Sequence, residues 1–512
     1  MPTAASHTFD SYYLNKMDMK RTVSLLLLVL LLISNLNSAF AESSIDLASY
    51  VTPEMCSSSY WKEAALHDSS QLLLTVEEIK RYNQEAINSP DAYVFDLLAL
   101  GQQDYDVTDA GRAARAKDAD TPLRPLYSNG ERINNRSYFG AIRQAILDTG
   151  YSGTSRRSEL AVATKYTALL AIPTLDIIGY RAEDPDHEYQ NSALVVNEPF
   201  VIRQTALVRG TRFYFGYTTN MSGWVRAEDL ALFGTYESWL NEDGVLDEAR
   251  FQQDFSTWAN AWNFDPNGKD FLVVNQDKII LESSYTTPAT SDVRLTLSTA
   301  LRLVPANEKP QALGERGTWN NYVVYLPTRD ENGQYRATMA LIPQHYRVSI
   351  GYLPYTQSNL LDLAFSCLGN RYGWSGMLNA YDCSLYVRTV YRCFGFEMPR
   401  NTTNQQKVHS SDVLKTVDLS GMTDEQKSLY LAALPVGSML YLHGHTLLYV
   451  GTVNGQSYGI SALGSVMDAN GEAEIKTEYC VALTPLSCRR KNGNTWLHEL
   501  TTAVVVRNVD CQ

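Results

Sequence analysis

The sequence predicts a multidomain chain with a helical N-terminal segment, two small β-barrels and a C-terminal α+β domain built around one cysteine. Three observations predict it. The chain has 512 residues, enough for three or four domains of ordinary size. From about residue 158 to 350 it runs in short alternating apolar stretches punctuated by glycine and aromatics, the pattern of small barrels. After residue 351 helical patterns precede a series of strands, and one helix opens at Asp382-Cys383-Ser384.

Composition narrows the classes. With 32 tyrosines and only 19% charged residues, the chain is globular rather than disordered. Its formal net charge is −13, and no basic stripe interrupts it, which argues against nucleic acid and anionic membrane surfaces as partners.

Residues 1–41 read as a leader. Met19-Lys20-Arg21, the run SLLLLVLLLI and Ser38-Ala39-Phe40-Ala41 supply the three parts of a secretory signal, with cleavage expected after Ala41. The apolar run is too short for a typical membrane span, and no second run approaches one. Export to the periplasm, cell wall or exterior is the expectation, with no membrane span in the mature chain. The leader holds Lys16, Lys20 and Arg21 against Asp10 and Asp18, so the remainder carries −14.

Residues 42–157 alternate amphipathic patterns with polar loops, and SSYWKEAAL, TVEEIKRYNQEAI and AYVFDLLAL are expected as helices. Glu77-Glu78 and Lys80-Arg81 read as a solvated helix face. Residues 158–235 carry the first barrel pattern, through ALVVNEPFVIRQTALV, TRFYFGYTT and Gly223-Trp224-Val225-Arg226. Residues 236–350 carry the second, with FLVVNQDKIIL, DVRLTLSTALRLV, NNYVVYLP and YRATMALIP following the linker WNFDPNGKD.

Residues 351–512 carry the chemistry. LPYTQSNLLDLAFSCLG is an amphipathic helix in which Cys367 packs with apolar neighbours. In NRYGWSGMLNAYDCSLYVRTVYRCFGFEMPR, the residues Val387, Val390, Tyr391 and Phe394 share a helix face with Cys383, while Asp382 has the type and place of an N-cap. The Cys383 thiol then sits in the first turn, where the macrodipole favours an anion and lowers a thiol's pKa. Cys393 instead reads as a structural cysteine in mid-helix.

Beyond the leader seven histidines remain, and only His443 and His445 lie in a strand pattern with a glycine beside them, in PVGSMLYLHGHTLLYVGTVNG. Alternation places His445, Leu447 and Tyr449 on one face, and His443, two residues away, competes for the same role. Asn454-Gly455 reads as a tight hairpin turn. His409 is expected to face solvent and His498 to be structural. A cysteine at a helix start with a histidine on a following strand is the papain-like arrangement, in which imidazole accepts the thiol proton.

Seven cysteines is an odd count for an exported chain, and one thiol kept for chemistry leaves six. Cys480 and Cys488 could close a local bridge, which sequence leaves open. Cys383 and Cys393 match no zinc spacing, no phosphate loop or dinucleotide fingerprint is present, and no metal or cofactor is expected.

The run YGWSGMLNAYDCSLYVRTVYRCFGF-MPRNTTNQQ resembles the catalytic block of the NlpC/P60 cysteine peptidases, and the mature chain resembles the subgroup with a stabilising N-terminal domain and two bacterial SH3-like domains. The likeness is most specific from Tyr352 to Gln406. It implies Cys383 as nucleophile, His445 as base and Ser461 at the place of the usual third polar residue, most often histidine. Trp374-Ser375-Gly376 replaces the usual Trp-Gly-Gly, and Leu385 stands where glycine usually follows Cys-Ser.

The resemblance further implies hydrolysis of the γ-D-glutamyl–diamino acid bond of peptidoglycan stem peptides by a monomer. Asp382 and Ser384 would bind the free L-alanine amine and neighbouring polar groups, and Tyr372 and Trp374 would line the substrate site. The first barrel would border the cleft and the N-terminal segment would be a scaffold. Two other readings stay open: a wall-binding protein with a weakened site, suggested by Ser461, and an amidase or transpeptidase on the same fold. In a simple hairpin at Asn454-Gly455, residue 453 pairs with 456, which sets Ser461 opposite Leu448 and away from His445 unless a bulge, strand shear or a water intervenes.

Overall fold

The computed structural model describes residues 50–506, apart from 66–67, 150, 185, 409–411 and 468–474. The leader with its cleavage point at Ala41, and His409, lie outside the described residues. The described residues from Pro53 onward form one compact unit. No helix among the described residues is long and apolar enough to cross a membrane.

The N-terminal segment is helical where the pattern is strong. Helix α1 (Ser58–Ala64) and helix α2 (Val76–Asn88) form as expected, the latter opened by a Thr75/Glu78 capping box. Of AYVFDLLAL only Leu97–Gly101 is helical, because Asp96 caps at its side chain and Tyr93 turns the chain with φ 56°. Helices α1 and α2 pack on the C-terminal domain, whereas Leu97 packs with Leu160 and Val201 of the first β unit. Trp61 of α1 is fully buried against Tyr458, and Lys62 pairs with Asp362 at 2.7 Å. The Asn83 side chain of α2 donates to the Gly395 carbonyl and accepts the Glu397 amide, each at 2.8 Å. The polar face of α2 is not simply solvated: Glu77 accepts from Asn267 and Lys80 meets Asp265.

The first β unit is a seven-stranded antiparallel sheet. Its strands are β1 (Glu159–Ala163), β2 (Thr167–Leu170), β3 (Gln190–Leu194), β4 (Pro199–Val208), β5 (Thr211–Tyr217), β6 (Ser222–Arg226) and β7 (Leu230–Leu232), in the order β7-β1-β4-β5-β6-β2-β3. Phe200, Ile202, Leu169 and Val225 are among its core residues.

A helix, not a strand, opens the span 236–350 that the sequence pattern assigns to the second barrel. Helix α3 (Glu248–Trp262) is capped by Asp247 and buries Phe251, Phe255 and Trp258, whose indole donates to the Ala161 carbonyl at 2.9 Å. Those aromatics recur at helical spacing, i, i+4 and i+7, which is the local reason a helix forms here.

The second β unit comprises four small sheets, the least of them a pairing of Ala312–Leu313 with Arg316–Gly317. Strand β8 (Phe271–Val274) lies between β11 (Ala300–Arg302) and β14 (Val348–Ile350). Strand β9 (Lys278–Ile280) pairs with β10 (Arg294–Thr296), and β12 (Asn321–Arg329) with β13 (Tyr335–Pro343). Leu272, Leu295, Val324 and Ile342 share one core.

In the C-terminal domain, helix α4 (Gln357–Phe365) is capped by Thr356, and Cys367 is fully buried just beyond it. Helix α5 (Cys383–Arg392) is capped by Asp382, and every residue from Ser384 to Tyr391 is buried. It is therefore a central helix rather than an amphipathic surface one. One side carries the six-stranded sheet, and the other meets the first β unit, whose Glu198 takes both Arg388 and Arg392. Cys393 is buried at the C-cap rather than in mid-helix.

The sheet order is β15-β20-β16-β17-β18-β19, for β15 (Leu414–Asp418), β16 (Met439–Leu442), β17 (His445–Val453), β18 (Gln456–Met467), β19 (Ile475–Pro485) and β20 (Leu500–Val506). Cys480 lies in β19 opposite Leu463, and Cys488 is buried in the turn that follows.

Candidate active site

Asp382 is the anchor of the site. Its Oδ1 accepts from the Leu385 amide at 2.8 Å, which is the N-cap bond, and from the Ser384 hydroxyl at 3.1 Å. Its Oδ2 accepts the Ser375 amide at 3.0 Å. Arg400 spans both oxygens, at 2.7 and 3.3 Å, and also reaches Ser384 at 3.0 Å and Ser192 of β3 at 2.7 Å. Asp382, Ser384 and Arg400 are all buried. Five donors thus satisfy the carboxylate, and an ammonium could bind it only by displacing one.

The loop before Asp382 is held from outside its own domain. Ser375, Leu378 and Asn379 all have φ between 51° and 58°, and Gly376 has φ 86°. Serine in this region costs about 1–2 kcal/mol, which explains why glycine is the easier residue at position 375. The conformation is offset by the Ser375 amide bond to Asp382 and by the first β unit: Gln190 donates to the Ser375 carbonyl at 3.0 Å and Tyr166 to the Gly376 carbonyl at 2.7 Å. Leu385, in the other unusual position, packs against Gly376, where an added Cβ would meet it at 3.1 Å.

Cys383 begins α5, and its Sγ lies 3.8 Å from Thr402 Oγ1 and accepts from the Thr446 amide. The expected lowering of its pKa does not follow. Burial pushes the thiol up to about 11, with the Asp382 charge adding to it, against smaller opposing effects of Thr446, Thr402 and Arg400. Desolvation outweighs the first-turn dipole.

His445 opens β17 and faces the same cleft as Cys383, of about 830 Å³. Its Nε2 lies 3.0 Å from Ser461 Oγ, and its ring meets Trp496 edge-on with centroids 5.1 Å apart. Burial pulls the imidazole down to about 4, assisted by Arg490. Both shifts favour the neutral forms, the protonated thiol and the unprotonated imidazole.

The register explains the serine. Asn454 and Gly455 have φ 51° and 77° and make the expected hairpin turn, with Val453 paired to Gln456. Gly451 then pairs with Tyr458, but Tyr449 pairs with Gly459, so Val450 is one extra residue on β17. This bulge moves Leu448 opposite Ile460. Carried on, the register sets Ser461 beside Leu447 and Leu463 beside His445, which turns Ser461 onto the histidine's face.

His443 does not belong to a strand, contrary to the alternation expected of it. Leu442 pairs with His445, so His443 and Gly444 form a two-residue turn and His443 is exposed at the rim of the cleft. His498 lies exposed against Asp424 at 3.0 Å. Tyr372, half-buried, and Trp374, 40% exposed, both line the cleft. Among the described residues no group of three His, Cys, Asp or Glu side chains is placed to hold a metal ion.

Two groups of lining residues went unrecognised in the sequence. Arg400, Asn401 and Thr402 follow α5 and line the cleft, with Thr402 beside the thiol; their only signal in the sequence is position within MPRNTTNQQ. Arg489, Arg490 and Lys491 form a basic turn at the cleft, and three adjacent cations in an acidic chain were the sign.

The NlpC/P60 family model matches residues 369–503, a span that holds Cys383, His445 and Ser461. Residues 369–503 are an NlpC/P60 family domain. NlpC/P60 domains are generally cell-wall peptidases. The whole fold is similar to that of an NlpC/P60 endopeptidase from Photobacterium damselae subsp. piscicida, with TM-score 0.60 and 14% identity over 88% of this chain and 96% of that one. An NlpC/P60 family protein from Bacillus cereus ATCC 10987 matches with TM-score 0.37 and 15% identity, over 62% of this chain and 81% of that one. No curated protein matches this chain. The NlpC/P60 domain thus contributes the helix and sheet of the site, while Ser192, Gln190 and Tyr166 come from the β unit before it.

Proposed function

We propose that the protein is an exported cysteine endopeptidase that hydrolyses the γ-D-glutamyl–diamino acid bond of peptidoglycan stem peptides. The observation that carries the reading is the His445 Nε2–Ser461 Oγ contact at 3.0 Å behind a cleft that Cys383 shares. Ser461 ties one ring nitrogen, so Nδ1 is the nitrogen left for the thiol.

The chemistry follows from the two neutral partners. His445 takes the Sγ proton as Cys383 attacks the amide carbonyl, and a C–S bond forms. The Cys383 amide is a first-turn N–H without an intrahelical acceptor and serves as oxyanion donor. The imidazolium gives its proton to the leaving amine as the C–N bond breaks. His445 then deprotonates a water that cleaves the acyl-enzyme, which releases the carboxyl product and restores the thiol.

Tyr372 and Trp374 offer the substrate aromatic surface. Asp382 and Ser384, being satisfied by Arg400 and by backbone amides, act on substrate through the shape of the loop rather than by direct capture of its amine. The two β units take the SH3-like role in this reading, the first of them buttressing the cleft.

The test is product analysis by mass spectrometry after incubation with L-Ala-γ-D-Glu-diamino acid peptides, with Cys383→Ala as control. L-Ala-D-Glu and free diamino acid from the wild type alone are expected. Binding without product would indicate a wall-binding protein, and any other cleavage or ligation product would indicate an amidase or transpeptidase.

A further inference from the structure

The cleft carries a charge opposite to that of the protein. Its formally charged lining residues are Asp382 and Glu499 against Arg400, Arg489, Arg490 and Lys491, a local balance of +2 in a chain of −13. Two of the cations are accounted for. Arg400 is committed to Asp382, and the Arg489 guanidinium donates to the Gly493 carbonyl at 2.5 Å. Glu499 takes its hydrogen bonds from Asn492 and Asn494, and the Arg490 charge acts on it only from beyond ion-pair distance. Among the described residues neither Arg490 nor Lys491 has a carboxylate within ion-pair distance.

The turn that presents them is built, not loose. The Arg490 amide bonds to the Asn494 carbonyl at 2.9 Å, the Gly493 amide returns to the Arg490 carbonyl at 2.8 Å, and Gly493 takes φ 84°. The turn continues into Trp496, which packs on the His445 ring. The Arg490 guanidinium donates to the His443 carbonyl at 2.7 Å, which fixes it on the side of the cleft where the β16–β17 turn lies.

That side is defined chemically, because His445 must deliver its proton to the leaving amine. The residue that owns this amine therefore lies towards His445, and it is a diamino acid that carries carboxylate. We propose that Arg490 and Lys491 form a carboxylate-recognition site for the leaving diamino acid, which makes an anionic leaving residue a determinant of specificity. The inference rests on the endopeptidase reading above. Arg490 binds the carboxylate by charge-assisted hydrogen bonds while held by His443, and Lys491 adds an exposed second cation.

The test uses L-Ala-γ-D-Glu-diaminopimelate in three forms: both carboxylates of the last residue free, the one next to the scissile amine amidated, or the distal one amidated. For the wild type, amidation of the recognised carboxylate should lower kcat/KM by about 10- to 100-fold, the range expected of a charge-assisted contact. The loss should appear mainly in KM, and the two amidated forms show which carboxylate is read. In Arg490→Gln and in Lys491→Gln the acid-to-amide ratio should fall towards one. Because Arg490 also holds the His443 carbonyl, Lys491→Gln separates charge from turn geometry.

Equal rates on all three peptides would overturn the carboxylate site and leave the endopeptidase reading standing. Cleavage of none would overturn the endopeptidase reading. The carboxylate site is then decided by calorimetry with Cys383→Ala protein and diaminopimelate or its diamide, where equal affinities would overturn it and preference for the acid, lost in Arg490→Gln, would uphold it.

Discussion

Ser461 Oγ lies 3.0 Å from Nε2 of His445, although an unbroken hairpin would turn the two side chains to opposite faces of the sheet. The single extra residue Val450 reverses the parity of β17 against β18. The contact is a neutral hydrogen bond, worth about 1 kcal/mol net. Ser461→Ala should therefore slow kcat by roughly 5- to 10-fold and leave measurable turnover. A complete loss of activity in a folded variant would show that the hydroxyl does more than orient the ring.

His443 in the β16–β17 turn and His445 at the start of β17 should separate sharply. His445→Ala should cost at least about 10²-fold in kcat, as loss of a positioned acid–base group does. His443 is exposed at the turn and should tolerate alanine with little change. Steady-state kinetics on one peptide checks both, and a reversed order would reassign the base.

The pH dependence follows from desolvation of both partners, each half-buried at the cleft. A depressed imidazole pKa keeps the neutral, proton-accepting form present well below the ordinary value of about 6.5. The acid limb of kcat/KM should accordingly lie nearer the value of about 4 to which burial pulls His445. A thiol raised to about 11 holds its proton at neutral pH, so its alkylation by iodoacetamide should accelerate steadily from about pH 7 to about pH 10. Fast, pH-independent alkylation at neutral pH would instead indicate a preformed thiolate.

Arg400 and Asp382 are a buried pair joined at 2.7 Å, and Arg400 also ties Ser192 of the first β unit to this point. Arg400→Met strands a buried carboxylate and should destabilise the protein by about 3–5 kcal/mol. The double variant Asp382→Asn/Arg400→Met removes the stranded charge and should recover part of the loss. Thermal unfolding of the three proteins checks the order.

Trp61 links the N-terminal segment to the register of the site. It packs on Tyr458 and closes on Gly451, the residue after the bulge, where an added Cβ would come within 3.1 Å of its ring. Trp61→Ala should cost about 3–5 kcal/mol, as large-to-small changes of buried tryptophan do. It should also lower kcat by loosening the strand that carries His445. Unchanged kcat in the folded variant would confine Trp61 to stability.

The sequence by itself determined the local chemistry: the Asp382 cap, the cysteine that opens a helix, the histidine on a following strand and the Asn454-Gly455 turn. Each is a short-range property of residue type and spacing, and each is present in the structure. Helix α3 was equally local and legible in Phe251, Phe255 and Trp258, but it was masked by the strand-like runs around it.

Only the tertiary structure decided the rest. The pKa directions of Cys383 and His445 depend on burial by β17, β18 and the loops that cover them, which no spacing reveals. The five donors around Asp382 come from residues 375, 384, 385 and 400, and their placement is set by a loop that Gln190 and Tyr166 hold from another unit. The face of Ser461 hinges on one unpaired residue at position 450, and a bulge is settled by packing across the strand pair rather than by the identity of the residue within it.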